Sequence, residues 1–376
     1  LQEQDSLASR FLPGGPDCLI QDTLIANSLL AGKDPTLLSI DELRAKISGL
    51  PRVALGHFPT PLEFCPRLTE VVGGPRIFIK RDDCTGLAFG GNKTRQLEFT
   101  IGQGIHAGSD VLIGGAGSQS NHCRQLSAAA AKLGLACAVA VVKDHKSGGL
   151  KGNLLLDDLL GATVKMIDVP SQEQLDEAKE QLVLELKAEG KKPFVVMKSA
   201  NRPFGAMGYA LAVAEMVEQM ARIGEKIDAI VGCSGSCTQP GMIFGNKVLD
   251  IGARIYGVAP ITWSYDVKDA FMGVVNHMAE ILDLDIVFDR NDIWNSPDYI
   301  GEEGYGYCSK AGNEALRLMA TTEGILLDPI YTGKALSGLI NLSNIGEIGP
   351  EETVVFLHTG GTPALFAYTD ELGNRA

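Results

Sequence analysis

With 376 residues, 45% of them hydrophobic, and 44 glycines, the chain can bury one large core or two moderate ones, and two domains is the natural expectation. A net charge of −13 argues against nucleic acid or an anionic membrane surface as partner, because both select for basic faces. No apolar run reaches membrane-spanning length, and Leu1-Gln2-Glu3-Gln4-Asp5 lacks the basic and apolar regions of a signal peptide. A soluble, cytoplasmic small-molecule enzyme is expected, with an organellar matrix open if a leader was removed. Residues 1–50 are helix-like, with a capping-box pattern at Ser39-Ile40-Asp41-Glu42 and no strand signal; they read as a helical extension packed on the core or on a partner subunit. From residue 77 onward short β-branched runs predict strands at 77–80, 111–114, 136–142, 163–169, 194–198, 229–233, 254–259, 286–289 and 353–358. Helical patterns fall between them: one opening at Lys93 with an apolar stripe of Leu97, Ile101 and Ile105, then 121–133, 172–189, 209–223, 309–323 and 334–343. Strand–helix alternation of this kind implies an α/β fold with mainly parallel sheets and helices on both faces. The eight cysteines are scattered, several of them in strand-like runs, and read as reduced, buried thiols. Their one close pair, Cys233 and Cys237, lacks zinc or redox spacing, and no metal is expected.

In open α/β sheets ligands sit beyond the carboxyl ends of the strands, so the loops leaving those ends are where chemistry is sought. Phe89-Gly90-Gly91-Asn92-Lys93 puts a lysine directly after two glycines at a helix start. Glycines allow a cofactor close to the backbone, and a desolvated lysine attacks aldehydes, so the pattern suggests a Schiff-base lysine. In isolation, a surface lysine is the better reading. The loop Gly232–Gly241 is rich in Gly, Ser and Thr and suits an anion cradle at a helix N-terminus. It contains neither nucleotide-binding glycine pattern, which favours a smaller phosphate ester; taken alone, such a turn is more often a tight connection. Gln119, Ser120, Asn121 and His122 meet another helix start, where donors left beside a cap can hold a carboxylate. Asp328-Pro329-Ile330-Tyr331-Thr332 fixes where a tyrosine points, and a tyrosine so placed can move a proton.

Four ordered motifs, G-G-N-K-T-R-Q-L-E, S-Q-S-N-H-x-R-Q, D-P-I-Y-T-G-K-A and H-T-G-G-T-P-A-L-F-A-Y, resemble the 1-aminocyclopropane-1-carboxylate deaminase/D-cysteine desulfhydrase family, over roughly residues 50–370. The resemblance implies a type II pyridoxal-phosphate fold: two open twisted α/β domains with the cofactor in the cleft between them. Residues 51–106 and 206–376 would form the large cofactor-binding domain and 107–205 the small one. It further implies pyridoxal 5'-phosphate carried by Lys93, which then acts as acid or base at Cα. Asn121 would meet the cofactor's ring hydroxyl, Gly235, Ser236, Cys237 and Thr238 its phosphate, and Thr332 its pyridine nitrogen. Gln119, Ser120, Asn121 and His122 would bind the substrate carboxylate, Ser120 also lying on the proton-transfer face, with Tyr305 and Tyr331 the two active-site tyrosines of a homodimer. Deaminases of this family resemble Tyr-Glu-Gly-Lys where this chain has Tyr331-Thr332-Gly333-Lys334. A hydroxyl there implies a weaker electron sink, suited to β-elimination of sulfide from D-cysteine. An L-cysteate sulfo-lyase comes second, since Arg202 replaces smaller neutral residues and offers a planar charge to a sulfonate. Aminocyclopropane-carboxylate deamination follows, and a cofactor-binding carrier without turnover is the reading from another class.

Overall fold

Strand-forming runs are short in this chain, the central ones buried on both faces, and they assemble into two sheets. The computed structural model describes residues 37–168, 172–302 and 304–373. In chain order the elements are α1 (Ile40–Ser48), β1 (Leu62–Phe64), α2 (Pro66–Val72), β2 (Arg76–Arg81), α3 (Lys93–His106), β3 (Val111–Gly117), α4 (Asn121–Leu133), β4 (Ala136–Val142), α5 (Gly152–Leu159), β5 (Thr163–Ile167), α6 (Gln172–Ala188), β6 (Pro193–Val195), α7 (Arg202–Arg222), β7 (Ala229–Cys233), α8 (Thr238–Val248), β8 (Arg254–Val258), α9 (Val267–Ile281), β9 (Trp294–Ser296), α10 (Lys310–Glu323), α11 (Thr332–Asn344), β10 (Thr353–His358) and α12 (Thr369–Gly373). One sheet has six strands in the order β1-β2-β10-β7-β8-β9, the other four in the order β5-β4-β3-β6. All neighbours run parallel except β1 against β2.

The two-residue period of a strand explains the layers. Phe78, Val355 and Leu357 pack on the face covered by α7, α8 and α9, while Ile77, Ile79, Val354 and Phe356 pack on the face covered by α10 and α11. In the four-stranded sheet Leu112, Val139 and Val141 meet Leu97, Ile101 and Leu126 from α3 and α4, and Ile113 and Ala140 meet Leu175 and Leu182 from α6. In both sheets the chain order reverses beside one strand. β10 inserts between β2 and β7, and β6 lies on the side of β3 away from β4. The crevices at these reversals are where a ligand site belongs.

Residues 1–36 of the expected extension lie outside the described residues. The part seen bears out the capping box: Ser39 Oγ accepts from Glu42 N at 3.2 Å, and Glu42 Oε2 accepts from Ser39 N at 2.7 Å. Leu43 and Ile47 are buried in the core, and Arg44 meets Glu218 of α7 through both nitrogens. The run 286–289 is not a strand; Phe288 stacks on Phe244 with centroids 5.6 Å apart, and the neighbouring strand is β9. α7 starts at Arg202 rather than at 209, with Pro203 in its first turn, a position where proline fits. Ile105, expected on the buried stripe of α3, is 39% exposed. Among the described residues no helix is long and apolar enough to cross a membrane, and the seven described cysteines are all free.

Candidate active site

Between β2 and α3 the backbone takes four consecutive positive φ values: Ala88 41°, Phe89 68°, Gly90 66° and Gly91 129°. A Cβ at residue 90 would lie 1.9 Å from the Asp83 carbonyl oxygen, and one at residue 91 would lie 2.5 Å from Gln125 Nε2. The two glycines therefore serve the packing of this turn. Hydrogen bonds pin the turn on every side. Arg124 donates to the Ala88 and Gly90 carbonyls at 2.7 and 3.0 Å. Gln125 Oε1 accepts from Thr94 N at 2.8 Å, capping the first turn of α3, and Asn92 N donates to the Thr359 carbonyl at 3.0 Å. Lys93 then opens α3 with its amine in a cavity of about 560 Å³. Burial lowers the pKa of that amine, and the nearest opposing groups are thiols, Cys237 and Cys233, rather than carboxylates. A desolvated amine of this kind holds a larger neutral, nucleophilic fraction.

The loop after β7 supplies Ser234, Gly235, Ser236 and Thr238 to the cavity wall at the N-terminus of α8. Thr238 Oγ1 accepts from Asn92 Nδ2 at 3.0 Å and from Gln96 Nε2 at 2.9 Å, leaving its own proton to donate. Gly235 stands beside open space: a Cβ there would find nothing nearer than Thr238 Oγ1 at 3.7 Å and Lys93 Nζ at 3.9 Å. The Cys237 thiol faces Met197 and the Arg202 carbonyl, so this residue has its backbone N–H, at the start of α8, left for the cradle.

Opposite, β3 delivers the N-terminus of α4. Ser120 caps the helix by accepting from Cys123 N at 3.2 Å, so its hydroxyl proton stays available, and cap and cavity roles coexist. Asn121 Oδ1 accepts from Asn153 Nδ2 at 2.9 Å, which leaves its amide N–H₂ as a donor. Both residues line the cavity, as does His122. Burial, reinforced by the charges of Lys93 and Lys179, pushes the His122 imidazole down to about 3; it is neutral across the working range. Gln119 must be corrected: its amide joins Lys151 O and Asn153 N, and it turns away from the cavity.

Tyr305 and Tyr331 both line the cavity, with hydroxyl oxygens 2.6 Å apart. Burial raises both phenols, Tyr331 well above its usual range, so the pair carries two protons, one shared between them and one left for the cavity. Two buried groups place these rings. Asp328 Oδ2 accepts from the backbone N–H of Ile330 and Tyr331, and Lys334 Nζ donates to the Ile300 carbonyl at 2.6 Å, fastening the segment ahead of Tyr305. Thr332 is a second correction. Its hydroxyl donates to Asp328 Oδ1 and accepts from Asp328 N, both at 2.7 Å, and the residue is fully buried behind the cavity wall. Residue reasoning did not single out Arg124, Gln125, Asn153, Asp328 and Trp263. The first two and Asp328 stand inside the quoted motifs but lie behind the residues that line the cavity.

These residues fit a pyridoxal phosphate. The amine of Lys93 meets no carboxylate, an open anion cradle lies beside it, and Asn121 directs a free amide donor from the other wall. Comparison with known proteins agrees. The family model described as "Pyridoxal-phosphate dependent enzyme" matches residues 53–360. A D-cysteine desulfhydrase of Klebsiella pneumoniae is 41% identical, over 87% of this chain and 98% of its own. Another, of Salmonella choleraesuis, is 36% identical over 86% of this chain and 97% of its own. The crystal structure of an ACC deaminase homologue superposes with a TM-score of 0.80 at 34% identity, covering 88% of this chain and 98% of that one. The chain belongs to the pyridoxal-phosphate dependent enzymes and, within them, to the 1-aminocyclopropane-1-carboxylate deaminase/D-cysteine desulfhydrase family.

Proposed function

We propose that this protein is a D-cysteine desulfhydrase, converting D-cysteine and water to pyruvate, sulfide and ammonium. One observation carries the choice within the family: Asp144 is the only carboxylate among the described residues that line the cavity, and it is engaged by Ser118 and by Lys146 N. The position after Tyr331 presents no carboxylate to a ring nitrogen. The bound cofactor supplies an electron sink at Cα, and a sink without a facing carboxylate suits loss of a β-substituent better than opening of a cyclopropane ring. The D-cysteine desulfhydrases at 41% and 36% identity support the same reading.

In this reading Lys93 holds the cofactor, the 234–238 loop receives its phosphate and Asn121 its ring hydroxyl. Ser120 and the first N–H groups of α4 orient the substrate carboxylate. The Lys93 amine removes the Cα proton, the Cβ–S bond breaks with its electron pair on sulfur, and the Tyr305–Tyr331 pair donates a proton to the leaving thiolate. Neutral His122 adds bulk and one hydrogen-bonding edge without charge. We also propose a cytoplasmic homodimer, with residues 107–205 as the smaller domain. The test is product release from D-cysteine, L-cysteine and aminocyclopropane carboxylate. Sulfide and pyruvate in equal amounts from D-cysteine support the reading; 2-oxobutyrate from aminocyclopropane carboxylate with D-cysteine inert would overturn it.

A further inference from the structure

Tyr305 sits in a turn with little stiffness of its own. Gly304 and Gly306 flank it at φ values of 90° and 86°, a region that glycine enters freely and that leaves the backbone free to move unless neighbours hold it. Tyr305 stays 40% exposed, so packing of its ring does little to fix it. The residues that follow it are fastened twice. The Tyr368 hydroxyl donates to the Gly306 carbonyl at 2.6 Å, and the Tyr307 ring stacks on that of His145 with centroids 4.0 Å apart and planes 7° from parallel. Tyr368 also meets the His145 ring edge-on at 6.2 Å, so the three rings form one cluster around residue 306. Tyr368 is buried, and burial raises its phenol, which keeps the hydroxyl protonated as a donor.

The cluster is anchored from both sheets. His145 stands on the connection from β4 to α5, and its neighbour Asp144 accepts from Ser118 N at 2.9 Å and from Ser118 Oγ at 2.6 Å, two residues ahead of Ser120. Tyr368 lies beyond β10 of the six-stranded sheet; Lys146 Nζ sits 4.6 Å from its ring centroid and pairs with Glu371 of α12. A path of contacts therefore runs from the N-terminus of α4 through Asp144 and His145 to the turn that carries Tyr305. His145, Gly306 and Tyr307 line the cavity, and Tyr368 holds them from behind. We propose that His145 and Tyr368 are positioning residues for the proton-donating tyrosine pair: they hold Tyr305 against Tyr331 and tie that geometry to the loop that receives the substrate carboxylate. The inference rests on the reading in which the pair protonates the leaving thiolate, and adds to it the groups that aim the acid. An acid moved out of line loses proton transfer while the substrate still binds.

The test compares leaving groups in the holoenzyme. D-Cysteine expels a thiolate that takes up a proton, β-chloro-D-alanine expels chloride that takes up none, and both share the Cα proton loss and the three-carbon enamine that follows. We expect Tyr368→Phe, which deletes one hydroxyl, and His145→Ala to lower kcat and kcat/KM for D-cysteine together by about tenfold, with its KM and the turnover of β-chloro-D-alanine changed by less than about threefold. His145→Phe, which keeps a flat ring against Tyr307, should restore most of the loss. Amide hydrogen exchange over residues 304–307 should quicken in Tyr368→Phe and His145→Ala while exchange in α3 and α4 stays as in wild type. Tyr305→Phe serves as the reference for loss of the acid. If it lowers D-cysteine turnover selectively while Tyr368→Phe and His145→Ala keep wild-type rates, or lose equally on both substrates, the positioning role is overturned and the desulfhydrase reading stands. Equal loss on both substrates in Tyr305→Phe, or a wild-type enzyme inert to D-cysteine, would remove the parent reading and this inference with it.

Discussion

Arg124 never touches the cavity, yet the direction of Lys93 depends on it. The side chain is fully buried, and its two terminal nitrogens hold the carbonyls of Ala88 and Gly90 within a turn of four positive φ values. Backbone of that kind persists only where its surroundings over-determine it. We expect Arg124→Met to cost about 2–5 kcal/mol of stability, through two unpartnered carbonyls and the released turn, and to loosen cofactor retention on dialysis; Arg124→Lys should restore part of both. Unchanged denaturation midpoint and full retention in the methionine variant would show that the turn holds itself. Of the residues expected from the sequence, Lys93, Ser120, Asn121, His122, Tyr305 and Tyr331 line the cavity, with Tyr305 marked by the family resemblance alone. Gln119, Cys237 and Thr332 have equally suitable chemistry, but their side chains are claimed by Lys151 and Asn153, by Met197 and the Arg202 carbonyl, and by Asp328. No spacing rule reports such competition.

Helices α3, α4 and α7 are coupled through buried polar groups as well as apolar ones. Arg95, two residues after Lys93 on α3, joins Asp82 and Glu215, with Tyr209 donating to Asp82 at 2.6 Å and Lys80 lying 3.0 Å from Glu215. Burial alone would raise Asp82 and Glu215, but Arg95 and Lys80, joined at Asp82 by Tyr209, together outweigh it and hold both below their ordinary range. Their contribution is therefore present above the unfolded carboxylate values and is lost as pH falls through the folded ones. Arg95→Leu, which leaves two buried carboxylates without their cation, should cost about 3–5 kcal/mol at neutral pH, measured by urea denaturation; a loss within error would mean that Lys80 suffices. Asp157 of α5 behaves oppositely. Burial pushes it up to about 7, while Ser127 Oγ donates to it at 2.7 Å. Between the unfolded value near 4 and about 7 the folded state binds the extra proton, so this group's contribution falls as pH rises. Asp157→Asn should gain stability relative to wild type from pH 5 to 8, and a pH-independent difference would contradict the assignment. The strands expected from the sequence fall on β2, β3, β4, β5, β7, β8 and β10 within a few residues, most closely at β4, β7 and β10, whose apolar runs are buried. Sequence reading missed β1 and β9, three residues each, because so short an edge strand has no period to detect, and it placed a strand at 286–289 where apolar side chains pack without a ladder.

At the scale of the molecule, two sheets with reversed strand order turn their carboxyl ends toward one cleft, and each donates half of the chemistry. The six-stranded sheet brings Lys93, the anion cradle and Tyr331; the four-stranded sheet brings Ser120 and Asn121. Strand–helix alternation made the class legible, and four motifs made the family legible, but the pairing of the two walls depends on contacts between residues far apart in the chain. Asn153 orients Asn121, Arg124 aims Lys93, and Tyr305 meets Tyr331 across 26 positions. The claim on which the rest depends is that Lys93 is the residue that bonds the cofactor in this cleft. Borohydride reduction of the holoenzyme followed by peptide mapping tests it directly. We expect the reduced cofactor on the peptide containing Lys93 and none after the same treatment of Lys93→Ala; the label on Lys179 or Lys334, or a stably labelled Lys93→Ala protein, would contradict it.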